Sequence, residues 1–211
     1  MDRIQIINRL ISEFHLQMYL EIGVWRGDCF SRVTCKEKVG VDPCPIYQDG
    51  VHAMTSDEFF AAYQGPNFDL VFIDGLHESK QAYRDIRNAL DHLAQDGFLV
   101  CHDCRPQAEI EQRIPREQDV WTGDVWKAIH SLRVDRDDVS VTTFDCDYGC
   151  CVISRLPSAP YRPQSDLIDW SYYQRYGQEF LNLKPASYFD QFVLDIKESI
   201  AKKPVEQIYK S

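Results

Sequence analysis

Two short stretches put acids beside histidines. In FDLVFIDGLHES, Phe68 to Ser79, an apolar run enters Asp74-Gly75, and His77 follows three residues after the aspartate. About thirty residues on, GFLVCHDC, Gly97 to Cys104, ends in His102-Asp103 before its last cysteine. Carboxylates held close together in a dry site repel, so one of them is raised in pKa or the pair recruits a cation. Oxygen ligands suit a hard ion such as Mg²⁺, and an added imidazole is compatible with Mn²⁺. Asp74, Asp103 and His102 are therefore the candidate metal ligands. An imidazole titrating at about 6.5 is matched to removing a hydroxyl proton. His77, in the turn after its strand, is the candidate base, with Asp74 as its catalytic neighbour. The competing reading is plain structure: Asp74-Gly75 is also a good turn. His102 alternates with Asp103 and is expected to face the opposite side, packed and bonded to backbone.

A third set of residues is built on glycine. LEIGVWRGDC presents Glu21-x-Gly23-x-x-x-Gly27 at the end of an apolar run. Gly23 permits a tight turn with close backbone approach to a ligand, and Gly27 is expected to let the next helix pack near the strand. The dinucleotide fingerprint G-x-G-x-x-G, a cradle for pyrophosphate, is absent: Trp25 stands where its second glycine would be. Asp42 follows about 20 residues after the turn, where an acid accepts both hydroxyls of a ribose. A wider turn plus this acid points to a nucleoside without pyrophosphate, against the alternative of an ordinary turn with a helix-capping acid.

These residues need a scaffold that brings strand ends together. Met18–Val24, Lys38–Asp42, Val51–Met54, Asp69–Ile73 and Phe98–His102 read as strands, separated by helical spacing or turn residues. Thr55 with Glu58 has capping-box spacing and opens a helix carrying Phe59, Phe60 and Tyr63. A short helix is expected from Asp28 to about Cys35. A longer one carries Ala82, Tyr83, Ile86, Ala89, Leu90 and Leu93 and is expected to stop at Gly97. Alternating strands and helices imply right-handed crossovers and a parallel sheet. Runs such as LVFI, apolar at every position, imply helices on both faces. The pattern then changes. Residues 104–122 form a long polar loop, followed by the helix GDVWKAIHSL and two close strands, VSVTTF and YGCCVIS, expected as an antiparallel hairpin. The loop offers Arg105, Arg113, Arg116 and Trp121 to a substrate, whereas Trp126 at helical spacing reads as core. After Pro157 two amphipathic helices rich in aromatics form an appendage.

Bulk properties exclude several roles. A net charge of −10 repels nucleic acid phosphate. No apolar stretch nears the roughly 20 residues that span a bilayer, and MDRIQIINRLISEF reads as an amphipathic helix, not a signal peptide. Neither nucleic acid nor membrane is an expected partner. The eight cysteines are expected as free thiols in a reducing cytoplasm; a zinc site at Cys101-x-x-Cys104 is disfavoured because Cys101 falls inside a strand.

Taken together, E-I-G-x-x-x-G, V-D and F-I-D-G-x-H, followed by a strand ending H-D, resemble the class I S-adenosylmethionine-dependent methyltransferases over about Met18 to Ser154. The resemblance implies a Rossmann-like α/β doubly wound sheet of order 3-2-1-4-5-7-6, mostly parallel with a C-terminal antiparallel hairpin. Residues 1–156 would form that domain, and 157–211 a helical appendage that caps the substrate or contacts a second subunit of a homodimer. It implies S-adenosylmethionine as cofactor, with Glu21, Gly23 and Gly27 along its methionine side, Asp42 on the ribose, Thr55, Ser56 or Asp57 near adenine, and Asp74 at the rim. Asp74 and Asp103 would end adjacent strands, as in hydroxyl-directed enzymes whose acids hold Mg²⁺ or Mn²⁺. The activity implied is O-methylation of a small-molecule or sugar-like acceptor. The rival readings are a non-catalytic nucleoside-binding module and a nicotinamide oxidoreductase. Two positions depart from the family. Cys29 replaces a frequent Ser or Thr, leaving Asp28 to cap the next helix, and Cys104 stands where the catechol type has Asn.

Overall fold

The computed structural model describes residues 1–202. Its centre is one eight-stranded sheet, formed by β1 (Met18–Ile22), β2 (Glu37–Asp42), β3 (Val51–Ala53), β4 (Phe68–Ile73), β5 (Leu93–Cys101), β6 (Ser140–Asp145), β7 (Cys150–Ser154) and β8 (Leu183–Pro185). The order is β3-β2-β1-β4-β5-β7-β6-β8. β7 runs antiparallel between β5 and β6, as the hairpin pattern requires, and the remaining pairs are parallel. The expected order 3-2-1-4-5-7-6 is present with one addition. The appendage is not purely helical, because Leu183–Pro185 adds an edge strand beside β6. Three residues carry too little alternation to be read as a strand from sequence.

Helices cover both faces. α1 (Arg3–Phe14) and α6 (Phe189–Ala201) bury Ile6, Ile7, Leu10, Phe192 and Ile196 against one side. α2 (Ser56–Ala62), α3 (Ser79–Asp91), α4 (Trp126–Asp135) and α5 (Trp170–Phe180) pack on the other through Phe59, Ile86, Trp126 and Phe180. The aromatic tail is therefore core in large part: Tyr172 and Phe180 are buried. Residues 203–211 of the appendage lie outside the described ones. Among the described residues no helix is long and apolar enough to cross a membrane.

Two local expectations fail for identifiable reasons. Asp28 to Cys35 is not a helix beyond a single 3-10 turn at Phe30–Arg32. The Lys38 ammonium takes the Phe30 and Val33 carbonyls, at 2.8 and 3.2 Å, and the Thr34 N–H goes to the Asn8 side chain at 2.9 Å. The bonds that would propagate a helix are spent elsewhere. Asp28 accordingly caps nothing and lines the cavity described below. Gly97 does not stop α3, which ends at Asp91. It lies within β5, where the register jumps from Phe68 opposite Leu93 to Leu70 opposite Phe98. A Cβ on Gly97 would stand 2.9 Å from the Asp69 carbonyl oxygen, so this glycine serves a strand irregularity.

Candidate active site

The carboxyl ends of β1, β2, β4 and β5 open into a cavity of about 870 Å³. Its lining residues run from Arg3 to Trp121, so among the described residues the appendage contributes none. The described part of the tail, residues 157–202, thus packs on the sheet edge and faces.

At the β1 end the site is shaped by backbone. Gly23 has φ +92°, and a Cβ there would lie 2.1 Å from the Asp74 carbonyl oxygen. The turn after β1 therefore presses directly on the turn after β4, an approach only glycine allows. Its N–H donates to the Val41 carbonyl at 2.8 Å. Trp25 also takes a left-handed conformation, φ +43°. Its N–H donates to one Asp42 oxygen at 2.8 Å, and the other oxygen accepts from the Cys44 N–H at 2.8 Å. Asp42 is thus no helix cap. It braces the turn and lines the cavity. Gly27, φ +78°, is not among the lining residues. It admits the Tyr47 ring, against which a Cβ would clash at 2.6 Å, and not the approach of a helix.

Glu21 is 1% exposed yet lines the cavity. Tyr19 donates to it, and burial, opposed by bonds from Tyr19 and Cys29, raises its carboxyl to about 7. Thr55, Ser56 and Asp57 all line the far side. Thr55 and Glu58 form the expected capping box at the start of α2. Ser56 turns its hydroxyl to a residue the sequence did not single out, the buried Asp85 of α3, at 2.6 Å.

At the β4 and β5 ends the site is shaped by charge. His77 Nε2 lies 3.2 Å from Asp74 and 3.3 Å from Asp103. His102 Nδ1 lies 3.4 Å from each of the same two acids. The four side chains expected at the strand ends are thus brought together, with one correction: His102 does not face away from Asp103. Asp103 has φ +57°, which breaks the alternation of an extended strand and returns its side chain to the same side. Burial works against charge at both histidines, but the facing acids outweigh it and raise both pKa values. Burial likewise opposes the charge on Asp74, and the two imidazoles hold it well below the usual carboxylate range.

Sequence reasoning missed two members of this group. Arg3, in the first turn of α1, places Nη1 2.9 Å from His102 Nε2 and 3.1 Å from Asp147, and its backbone N–H also donates to Asp147 at 3.0 Å. Asp147 sits in the β6–β7 turn at φ +47° and is held at about 2: burial raises it, and His102 with Arg3 overcomes that. No local motif marks either residue; only the topology brings residues 3, 102 and 147 together. Of the loop residues, Trp121 stacks on His77 with ring centroids 5.2 Å apart, and Arg116 lines the cavity. Arg105 pairs with Asp145, Arg113 with Glu109 and Glu117, and Trp126 is fully buried.

Asp74, His102 and Asp103 offer ligand atoms that all lie within 4.8 Å of one another. His102 Nδ1 is buried without a hydrogen-bond partner. A buried nitrogen aimed between two carboxylates fits a divalent ion. Nε2 also lies 3.4 Å from Asp147, and an Nε2–H directed at that acid leaves the Nδ1 lone pair for an ion, which competes at that atom with the proton favoured by the facing acids.

A family model described as a methyltransferase domain matches residues 20–104. Three solved structures share the fold. An O-methyltransferase from Bacillus cereus in complex with SAH is 13% identical, with a TM-score of 0.55, over 72% of this chain and 79% of that one. An O-methyltransferase from Streptomyces achromogenes involved in tomaymycin synthesis, in complex with SAM, is 14% identical with a TM-score of 0.54 over 73% and 79%. An SAH-bound methyltransferase from Podospora anserina is 18% identical with a TM-score of 0.54 over 74% and 79%. Among curated proteins no sequence matched.

Proposed function

We propose that this chain is a class I S-adenosylmethionine-dependent methyltransferase, a reading supported by its matched domain and its fold, and that it methylates an oxygen of a small-molecule or sugar-like acceptor. One observation carries the choice of oxygen. His77 stands between Asp74 and Asp103 at the strand ends, so a carboxylate–imidazole cluster able to receive a proton faces the cavity where an acceptor hydroxyl would lie. An amine acceptor that arrives unprotonated has no need of such a base.

Each residue has a distinct task in this reading. Glu21 and Gly23 hold the methionine end of the cofactor, Asp42 the ribose, and Thr55, Ser56 and Asp57 border adenine. Trp121 stacks on His77 and limits its ring to one orientation. The acceptor proton passes into the Asp74–His77–Asp103 cluster, where the two carboxylates share the His77 Nε2 proton, as the acceptor oxygen bonds to the methyl carbon. The cofactor supplies that methyl on a sulfonium, and the broken carbon–sulfur bond returns its electron pair to sulfur as a neutral thioether. Alignment at about 3–3.5 Å does most of the remaining work. Asp74, His102 and Asp103 would hold Mg²⁺ or Mn²⁺, an ion that lowers the pKa of a hydroxyl beside it. The nitrogen ligand favours Mn²⁺.

Calorimetry with S-adenosylmethionine, S-adenosylhomocysteine and NAD tests the cofactor, and methyl transfer to a panel of hydroxyl, amine and thiol acceptors tests the atom. Micromolar binding of the first two, no binding of NAD and transfer to hydroxyls alone are the expected results. Transfer confined to amines or thiols would overturn the assignment of His77.

A further inference from the structure

α3 buries Ala82, Ile86, Ala89 and Leu90 along one face. Asp85 lies on the same face, 1% exposed, and borders the cavity. An acid among two alanines, an isoleucine and a leucine needs a reason, because an ionised carboxylate is expensive to bury without partners. Half of the reason is visible. Its Oδ1 accepts from the Ser56 hydroxyl at 2.6 Å and from the Gln81 amide at 2.9 Å. Gln81 is itself oriented, since its oxygen accepts from Arg84. No described residue donates to Oδ2. That oxygen lies beside Gly75, 3.8 Å from where a Cβ on that glycine would stand, and Gly75 lines the same cavity.

The carboxylate is thus locked by two donors on one oxygen and open on the other, next to the Ser56 that borders the expected adenine position. The exocyclic N6 amine is the hydrogen-bond donor that adenine offers. We propose that Asp85 reads this amine through Oδ2 and so sets the preference of the site for adenosine over nucleosides with a carbonyl at that position. This rests on the cofactor reading above. It adds that base selection comes from a helix residue pinned by Ser56 and Gln81, so the acceptor oxygen cannot turn away when a wrong base arrives. Burial raises the Asp85 carboxyl, in keeping with a group that waits for a donor.

The test is a ratio of affinities within one preparation. Calorimetry compares S-adenosylhomocysteine with S-inosylhomocysteine, whose base carries a carbonyl in place of the amine. The wild type should bind the adenosine compound at least about tenfold tighter, the factor expected when a charged acceptor loses its donor and meets another acceptor. In Asp85→Asn the side chain can donate as well as accept, and the preference should collapse to within about threefold. If Asp85→Asn does not fold, Asp85→Ser is measured in the same way and should also lose the preference. Equal binding of both compounds by the wild type, or a full preference retained in the folded variant, overturns the assignment of Asp85 and leaves the cofactor reading intact. Binding of neither compound by the wild type overturns both. If Asp85 only ties α2 to α3, its substitution will lower the melting temperature and leave the ratio unchanged.

Discussion

The two halves of the cavity are made of different materials. On the β1–β3 side the shaping elements are backbone turns. Gly23 and Trp25 take left-handed conformations, Asp42 spends both oxygens on N–H groups, and α2 begins with a capping box. On the β4–β5 side the shaping elements are charged side chains: Arg3, Asp74, His77, His102, Asp103 and Asp147 lie within bonding or ion-pair distance of a neighbour. A backbone cradle is rigid and holds a ligand of fixed shape. A cluster of opposed charges can trade protons, and its net charge depends on what enters it. The division matches a reaction in which the donor is constant and the chemistry happens at the other partner.

The sharpest test of this division is the one with the largest expected effect. His77→Ala should lower the methyl transfer rate by about 10²–10⁴-fold, the usual worth of a general base, while S-adenosylhomocysteine affinity measured by calorimetry stays within about twofold. A parallel loss of affinity would place His77 in the cofactor half. Gly23→Ala should do the reverse and damage both halves. The new Cβ meets the Asp74 carbonyl oxygen at 2.1 Å in a left-handed conformation, so the turns after β1 and β4 must separate. A loss of about 3 kcal/mol or more in stability is expected, seen as a lower melting temperature together with weakened S-adenosylhomocysteine binding. A smaller effect belongs to Asp103→Ala: Mn²⁺ affinity by calorimetry should fall at least about tenfold, with cofactor binding unaffected. Unchanged Mn²⁺ affinity would remove Asp103 from the ion site.

The same division governs what could be read in advance. The alternation of strands and helices and the glycine turn after β1 follow from short-range patterns: apolar runs that end in Gly23, Asp42 or Asp74 are continuous in sequence. The strand order, by contrast, comes only from the resemblance. His77 was legible because it lies three residues from Asp74. The orientation of His102 was not, since the left-handed Asp103 reverses an alternation that holds for any extended strand. Arg3 and Asp147 were invisible because their partners lie 99 and 144 residues away from Arg3. Asp85 was hidden for a different reason. It occupies a position that helical spacing assigns to the core, and only its Ser56 and Gln81 partners reveal a polar pocket there. The helix expected after Gly27 failed because Lys38 and Asn8, both outside the segment, hold its backbone groups.

The smallest effect tests whether the backbone-shaped half is as indifferent to protons as its construction suggests. Glu21 is the exception within it, a carboxyl that burial raises from 4.5 to about 7. With a folded value above the unfolded one, the group's contribution to stability is fully present below about pH 4.5 and is lost as pH rises through 7. Binding should run the opposite way. An ammonium group from the methionine end favours ionised Glu21, so it must displace a proton below pH 7 and need not do so above it. S-adenosylmethionine affinity should therefore rise about tenfold between pH 6 and pH 8, with proton release visible as a buffer-dependent heat in calorimetry. Glu21→Gln should flatten that rise, and it should also remove the decline in melting temperature across the same interval. His77 and His102 titrate in both proteins, so the difference between wild type and variant isolates Glu21. An unchanged slope in Glu21→Gln would mean that protons reach the cofactor only through the charged cluster, and that the two halves share one titration.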